Sequence, residues 1–267
     1  SFLIPQTIRR HEIRHVHTVH DVQLVEPSGI ILKTEENSWR YTGAPTKIYT
    51  WIMKKLMGSP DVVISPSQFL LDFYKDRGFF VDSDKTLLRN PLTLNFDVQE
   101  RIHDNDIFNF LYLGQIEKHK GVFLLAEAFK HVDNAVLHIA GSGSQLEELK
   151  KYVGNNLRVI FHGRVERDKL PEIFSRMDMT VVPSLCYENS PTVIFESLYF
   201  GVPVLASRIE GIAELIDEGS NGFTFKAGDV TSLTEKIQWC IKHTDDIENM
   251  RIKIPADSRP EGEYVQR

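Results

Sequence analysis

Hydrophobic and polar positions fall into two different patterns along the chain. From residue 107 to residue 243, short apolar runs near 109–113, 135–140, 157–161, 179–182, 203–206 and 222–225 alternate with amphipathic stretches near 121–131, 144–153, 167–176, 191–200, 210–216 and 229–243. Short, nearly continuous apolar runs bounded by turn residues predict strands buried on both faces, and the longer periodic stretches predict helices. Such alternation predicts a parallel sheet covered by helices on both sides, whose ligands bind at the carboxyl ends of the strands.

The first third is less regular. His15-Val16-His17-Thr18-Val19-His20-Asp21 predicts a short strand ending in a polar pair. Residues 22–43 contain Pro27-Ser28-Gly29 and few periodic apolar positions, which predicts a loop or lid and no packed element. Ala44 to Met57 predicts a helix, with Ile48, Trp51, Ile52 and Leu56 near helical spacing and expected to face the core. Lys47, Lys54 and Lys55 among these aromatic and aliphatic residues leave a second reading, a helix lying on a membrane surface. Asp61 to Ile64 predicts a buried strand, Ser65-Pro66-Ser67 the start of a helix reaching Arg77, Gly78 its end, and Lys85 to Leu88 another strand. Residues 93–106 are polar and aperiodic and predict a linker; beyond 246 the pattern fades into a polar tail to residue 267.

Composition narrows the classes of function. With 267 residues and 42% hydrophobic content, the chain can bury one large core or two modest ones. A net charge of −6 and no long basic run exclude a nucleic-acid footprint. No apolar run approaches the ~20 residues that span a bilayer, so any membrane contact is expected to be peripheral, at the inner face. Cys186 and Cys240 lack metal-ligand spacing and predict reduced thiols in a cytoplasmic protein. His11, His15, His17 and His20 cluster near the first strand, but nothing completes a zinc set, and no metal is assigned.

The chemistry concentrates after the strand Met179–Val182. A polar loop, Cys186-Tyr187-Glu188-Asn189, leads into a helix with Ser190 as its expected N-cap and Pro191 at its first position, followed by Thr192. The unpaired amides of a first helical turn attract anions, phosphate above all. Glu188 lies just before that turn, and Glu196 about five residues into the helix, about 7.5 Å along its axis. Carboxylates accept hydrogen bonds, so hydroxyls of a sugar or ribose are their natural partners.

Glu188 and Glu196 with seven residues between them, followed by Gly201-Val202-Pro203-Val204, Ala206-Ser207-Arg208-Ile209-Glu210-Gly211 and Glu218-Gly219-Ser220-Asn221-Gly222-Phe223, resemble the family-4 retaining glycosyltransferases of GT-B fold. The resemblance covers residues 107–242 well and 15–92 more loosely. It implies an α/β fold, GT-B-like, with a complete carboxyl-terminal Rossmann-like domain over 107–245 and a partial amino-terminal α/β domain over 1–92. It implies that Glu188 contacts the donor sugar, Glu196 holds the ribose hydroxyls, and His20 lies by the sugar. Gly114-Gln115-Ile116-Glu117-Lys118-His119-Lys120-Gly121 resembles the family's phosphate-binding turn, with Lys120 supplying charge for the departing diphosphate and Gln115 standing where an arginine is usual. Gly141-Ser142-Gly143-Ser144 allows close backbone approach before a capped helix. In His162-Gly163-Arg164-Val165, the resemblance places Arg164 and Val165 near the base.

A family member would carry roughly a hundred further residues before His15 and a helix crossing back at its carboxyl end; that size is a domain-scale figure. The expectation is therefore a chain truncated at both ends, whose half sheet could be completed in a homodimer. The expected function is transfer of a sugar from a nucleoside-diphosphate sugar to a hydroxyl of a sugar, lipid-linked or small-molecule acceptor, with retention, no cofactor and no required metal. Two other readings stay open: a nucleotide-sugar-binding module that needs a partner chain, and a sugar-nucleotide epimerase.

Overall fold

The computed structural model describes residues 3–91, 94, 96, 101–102 and 107–254. The chain forms two compact units, Ser1–Asn90 with Cys186–Ser190, and Pro91–Leu185 with Pro191–Arg267. The loop carrying Glu188 and Asn189 thus belongs by its contacts to the first unit, although the strand and helix that flank it in sequence belong to the second.

In the first unit, helix α1 (Ile4–Arg10) precedes strand β1 (Val16–Thr18); α2 (Trp39–Thr42) and α3 (Ala44–Met57) precede β2 (Val62–Ser65); α4 (Gln68–Asp76) leads to β3 (Asp84–Leu87). The strands form a parallel sheet in the order β1-β2-β3, with Val16 opposite Val62 and Val62 opposite Asp84. The Ser67 hydroxyl caps α4 by accepting the Leu70 amide at 3.2 Å, and the helix buries Leu70, Leu71, Phe73 and Tyr74. After Arg77, Gly78 takes φ +70°, a left-handed turn that glycine adopts without a Cβ penalty.

Two expectations for this unit are corrected. Residues 22–43 are mostly irregular but not a lid: Val22, Leu24, Val25, Ile31 and Tyr41 are buried in the same core as Val63, Leu70 and Tyr74. Tyr74 fastens the segment, its hydroxyl donating to the Asp21 carbonyl at 2.6 Å and accepting from the Leu24 amide at 3.3 Å. Helix α3 has the expected bounds, and Leu56 packs on the core as expected, but the other three residues expected there do not. Met53 and Met57 face the core, while Ile48, Trp51 and Ile52 are exposed.

In the second unit, β4 (Phe108–Leu113), α5 (Val122–Ala128), β5 (Ala135–Ala140), α6 (Leu146–Val153), β6 (Val159–Gly163), α7 (Leu170–Phe174), β7 (Met179–Val182), α8 (Thr192–Tyr199), β8 (Val204–Ser207), β9 (Gly222–Phe225), α9 (Val230–Lys242) and α10 (Thr244–Lys253) follow in turn. All strand pairs are parallel, in the order β6-β5-β4-β7-β8-β9. Successive residues of β4 point to opposite cores. Phe110 and Tyr112 pack with Leu137, Ile139, Phe129 and Leu205, whereas Leu111 packs with Ala140, Phe174 and Val202. A strand buried on both faces must read as a continuous apolar run, and Phe108–Leu113 nearly does.

Three local expectations differ here. The stretch 210–216 forms only a single 3-10 turn, Ala213–Leu215. The polar tail expected from 246 begins as α10, which buries Ile247 and Met250 and is fastened by the Arg251 guanidinium donating to the Met177 carbonyl at 2.7 Å; residues 255–267 lie outside the described residues. Most of the expected linker, 93–106, also lies outside them, but its described members pack on the second unit. Leu94 is buried, Ile102 donates its amide to the Ser175 carbonyl at 2.9 Å, and Arg101 pairs with Asp178 and Glu248.

Candidate functional site

Strand order reverses between β4 and β7, and the loops leaving the carboxyl ends of β4, β5, β6 and β7 meet there. In open α/β sheets this switch point is where ligands bind. The Gly114 amide donates to the Ala140 carbonyl at 3.0 Å, the Ile116 amide to the Ser142 carbonyl at 2.9 Å, and the Gly141 amide to the Gly163 carbonyl at 2.7 Å. The approach leaves no room for a side chain. A Cβ on Gly141, whose φ is +146°, would lie 1.8 Å from the Gly114 carbonyl oxygen, and one on Gly143 would lie 2.3 Å from that of Ile116.

Glu117 completes the joint. Its carboxylate accepts the Ser144 amide at 2.7 Å and the Ser144 hydroxyl at 2.8 Å, and these bonds hold it below the usual carboxylate range. Helix α6, expected to be capped, has Gln145 as its N-cap without a side-chain bond. Lys118–Lys120 form a 3-10 turn ended by Gly121 at φ +74°, where a Cβ would lie 1.8 Å from the Pro183 carbonyl oxygen. The Leu185 amide donates to the His119 carbonyl at 2.8 Å, so the Lys120 turn packs on the loop leaving β7. Gln115 is exposed, with its carbonyl accepting from the Tyr112 hydroxyl.

Helix α8 starts one residue later than expected. Pro191 is its N-cap, with no side-chain bond, and Thr192 its first helical residue, so the first-turn amides lack a side-chain cap. Ser190 is not the cap: it takes φ +62°, and its hydroxyl is buried without a partner. The Ser197 hydroxyl lies 2.6 Å from that of Thr180 and 2.7 Å from the Val202 carbonyl, which ties α8 to β7. Glu196 is the fifth helical residue and half-buried. Burial raises its carboxyl above the ordinary value, and the nearby Arg167 charge opposes that shift.

Arg164 and Val165 line a pocket of about 570 Å³ with His138, His162, Ile173 and Met177. Val165 packs on the buried cluster beneath, whereas Arg164 is exposed and pairs with Glu166 at 3.2 Å. The His138 and His162 rings stack at 5.1 Å, Nδ1 of one 2.8 Å from Nε2 of the other, and His138 Nε2 lies 3.1 Å from Asn109 Oδ1. Burial, then His162, pushes His138 down to about 4. Neither this pair nor the Glu117 clamp is foreseen by the sequence. A single histidine in an apolar strand carries no signal until strand register brings the second beside it.

The remaining expected site residues lie in the first unit. His20 follows β1, is exposed, and lines a cleft of about 370 Å³ with His17, Asp21 and Leu24. The Asn189 amide donates to the His20 carbonyl at 2.9 Å, and its oxygen accepts from the Ser67 hydroxyl. Glu188 is therefore flanked by two anchored residues. On its other side, the Tyr187 amide donates to the Ile31 carbonyl at 2.9 Å, its hydroxyl bonds Glu36, and its ring meets Phe69 edge-on at 5.0 Å. Among the described residues, no group of three or more His, Cys, Asp or Glu could hold a metal ion, and both cysteines are buried.

Comparison with known proteins adds three findings. The family model described as "Glycosyl transferases group 1" matches residues 95–256. The lipopolysaccharide 1,2-N-acetylglucosaminetransferase of Salmonella typhimurium is 28% identical over 186 residues, covering 60% of this chain and 48% of its own length. An uncharacterized glycosyltransferase of Methanocaldococcus jannaschii is 33% identical over 135 residues, 48% of this chain and 34% of its own. The chain thus spans between about a third and about half of the length of these relatives. Among solved structures, the sucrose-phosphate synthase of Thermosynechococcus elongatus aligns with TM-score 0.74 at 20% identity, covering 95% of this chain and 66% of its own. The Anabaena HepE protein in complex with UDP-glucose aligns with TM-score 0.73 at 19% identity, covering 95% and 70%. These structural likenesses establish a GT-B fold.

Proposed function

The chain belongs to the glycosyl transferases group 1 family, and on that premise we propose that it binds a nucleoside-diphosphate sugar and takes part in moving the sugar, with retention, to an acceptor hydroxyl. The observation that carries the reading is the backbone-to-backbone closure of Gly114 on Gly141 and Ile116 on Gly143 at the switch point. Loops packed backbone to backbone let a ligand approach the main chain at close range, which suits a diphosphate.

In this reading Lys120 and the first-turn amide of Thr192, which no side chain caps, stabilise the charge that develops on the leaving diphosphate. The half-buried Glu196 accepts hydrogen bonds from the ribose hydroxyls, the Gly163–Val165 loop receives the base, and Glu188 takes hydroxyls of the donor sugar. His20 donates a hydrogen bond to the sugar, and Asn189 and Ser190 fix the backbone beside Glu188. No protein side chain attacks the sugar. Relatives named for transfer of galactose or N-acetylglucosamine to lipopolysaccharide, and a fold neighbour solved with UDP-glucose, favour a UDP-hexose donor and a glycolipid or sugar acceptor.

Calorimetric titration with UDP, GDP, ADP and the corresponding sugar nucleotides tests this. One nucleotide series should bind saturably, and Glu196→Ala should abolish or weaken binding by about tenfold or more, the worth of one hydrogen bond to a charged group. Glu188→Gln should lower transfer far more than donor affinity. A folded protein that binds no nucleotide at millimolar concentration would overturn the reading.

A further inference from the structure

Helix α3 is amphipathic in an unusual sense, because its outward face carries large apolar side chains. Ala44, Ile48, Trp51 and Lys55 lie along one line at spacings of four, three and four residues, with Ile52 and Lys47 on either side, and all are exposed. Ile48 is 60% exposed and Trp51 55%. At the amino end of the helix, the Trp39 ring lies over Gly43 and is 72% exposed, which extends the apolar stripe. Met53, Met57, Tyr49 and Leu56 already supply the contacts that hold the helix to the core.

The charge on this segment is one-sided. Trp39–Met57 contains Arg40, Lys47, Lys54 and Lys55 and no Asp or Glu, in a chain whose net charge is −6. Lys55 places its ammonium 4.0 Å from the Trp51 ring centroid, so that cation and indole form one amphipathic unit at the centre of the stripe. Lys54 is turned inward, donating to the Arg77 carbonyl at 3.0 Å, and Arg40 pairs with Glu26 at 3.5 Å. Lys47 and Lys55 are left facing outward with the tryptophans.

We propose that the Trp39–Lys55 face docks on the surface of an anionic lipid bilayer, with α3 lying in the interface plane. Tryptophan and isoleucine enter the headgroup boundary while the lysines remain at the level of the lipid phosphates, the arrangement in which an interfacial helix gains from both apolar burial and charge. A second copy of the chain is a poorer occupant, since two such faces would set the same cations against each other. The inference does not depend on glycosyl transfer, and its readout needs no activity.

The test is co-sedimentation with vesicles of phosphatidylcholine alone and of about one part phosphatidylglycerol to two parts phosphatidylcholine, with tryptophan emission followed in parallel. The protein should bind the anionic vesicles, with a blue shift of emission, and not the neutral ones. The double variant Lys47→Glu/Lys55→Glu should weaken partition about tenfold or more, given about 1 kcal/mol per basic residue near the surface, and Trp51→Glu should abolish the shift. Circular dichroism would verify that the exposed-site variants fold. Absence of partition, partition equal in wild type and variants, or a concentration-dependent dimer lost in Ile48→Glu without any lipid binding would each overturn the proposal.

Discussion

Asn189 holds the backbone of His20. Its side-chain amide donates to the His20 carbonyl at 2.9 Å while its oxygen accepts from Ser67, the residue whose hydroxyl also caps α4. One side chain thus connects a helix N-terminus, a strand end and the loop of Glu188. Replacing Asn189 with Ala leaves the buried Ser67 hydroxyl without its acceptor and the His20 carbonyl without its donor. A loss of about 1–3 kcal/mol in stability is expected. Turnover should fall by up to about a hundredfold, the scale on which small misplacements act. Asn189→Asp should do no better, because a carboxylate would face the carbonyl it must hold. Urea denaturation and initial rates would check both variants.

Gly141→Ala is expected to be damaging out of proportion to one methyl group. The position combines φ +146° with a Cβ that would sit 1.8 Å from the Gly114 oxygen. Strain of this kind costs about 1–3 kcal/mol even without the clash. Since the obstacle is backbone, the β4 and β5 loops must separate. Nucleotide affinity should therefore be lost while α9 and β9 remain folded, a separation that titration and hydrogen exchange would register. Gly154→Ala is the control, since it too has positive φ, +61°, but nothing stands within 4 Å of its Cβ.

The fold of the second unit was legible because its central strands are largely buried on both faces. Met179–Val182 and Ala135–Ala140 stand out as apolar runs, and the structure keeps those bounds. What escaped has no periodic signature. Val22, Leu24, Val25 and Ile31 reach the core from irregular backbone, which imposes no spacing on its buried residues. Ile247, Met250 and Ile254 lie on one face of a segment otherwise charged, too sparse a stripe to separate from a tail. The expected helix at 210–216 is interrupted by Gly211 at φ +84°, and only three residues turn. At the candidate site, glycine punctuation gave away the loops at 114, 141 and 143. Ser190 misled: Ser-Pro reads as a cap followed by a first turn, and only the backbone shows Ser190 left-handed and Pro191 capping.

Stability should fall in mild acid through His138. Burial, and then His162, lowers its folded pKa to about 4 from the ordinary 6.5. Between those values the unfolded chain binds the proton and the folded chain does not, so the stabilising contribution is complete above about pH 6.5 and is lost as pH falls toward 4. Thermal denaturation between neutral pH and pH 4 should show the decline. His162→Gln removes the neighbouring charge and should make it shallower without abolishing it, because burial is the larger cause. A midpoint independent of pH across this range would contradict the assignment.

The exposed Gln115 sits on the turn where the sequence resemblance leads one to expect an arginine beside Lys120. Its backbone is already fixed by the Tyr112 hydroxyl, which bonds the Gln115 carbonyl, so a longer side chain can be introduced without disturbing the turn. If that turn faces a diphosphate, Gln115→Arg should tighten nucleoside-diphosphate binding by about five- to tenfold at low salt, since a guanidinium contributes both charge and a forked donor pair. The gain should fade as ionic strength shortens the screening length below about 10 Å. Binding of the free nucleoside should stay unchanged, because it presents no phosphate to the new cation. Equal tightening of nucleoside and diphosphate would instead place residue 115 beside the base, and an unchanged affinity for both would remove the turn from the site.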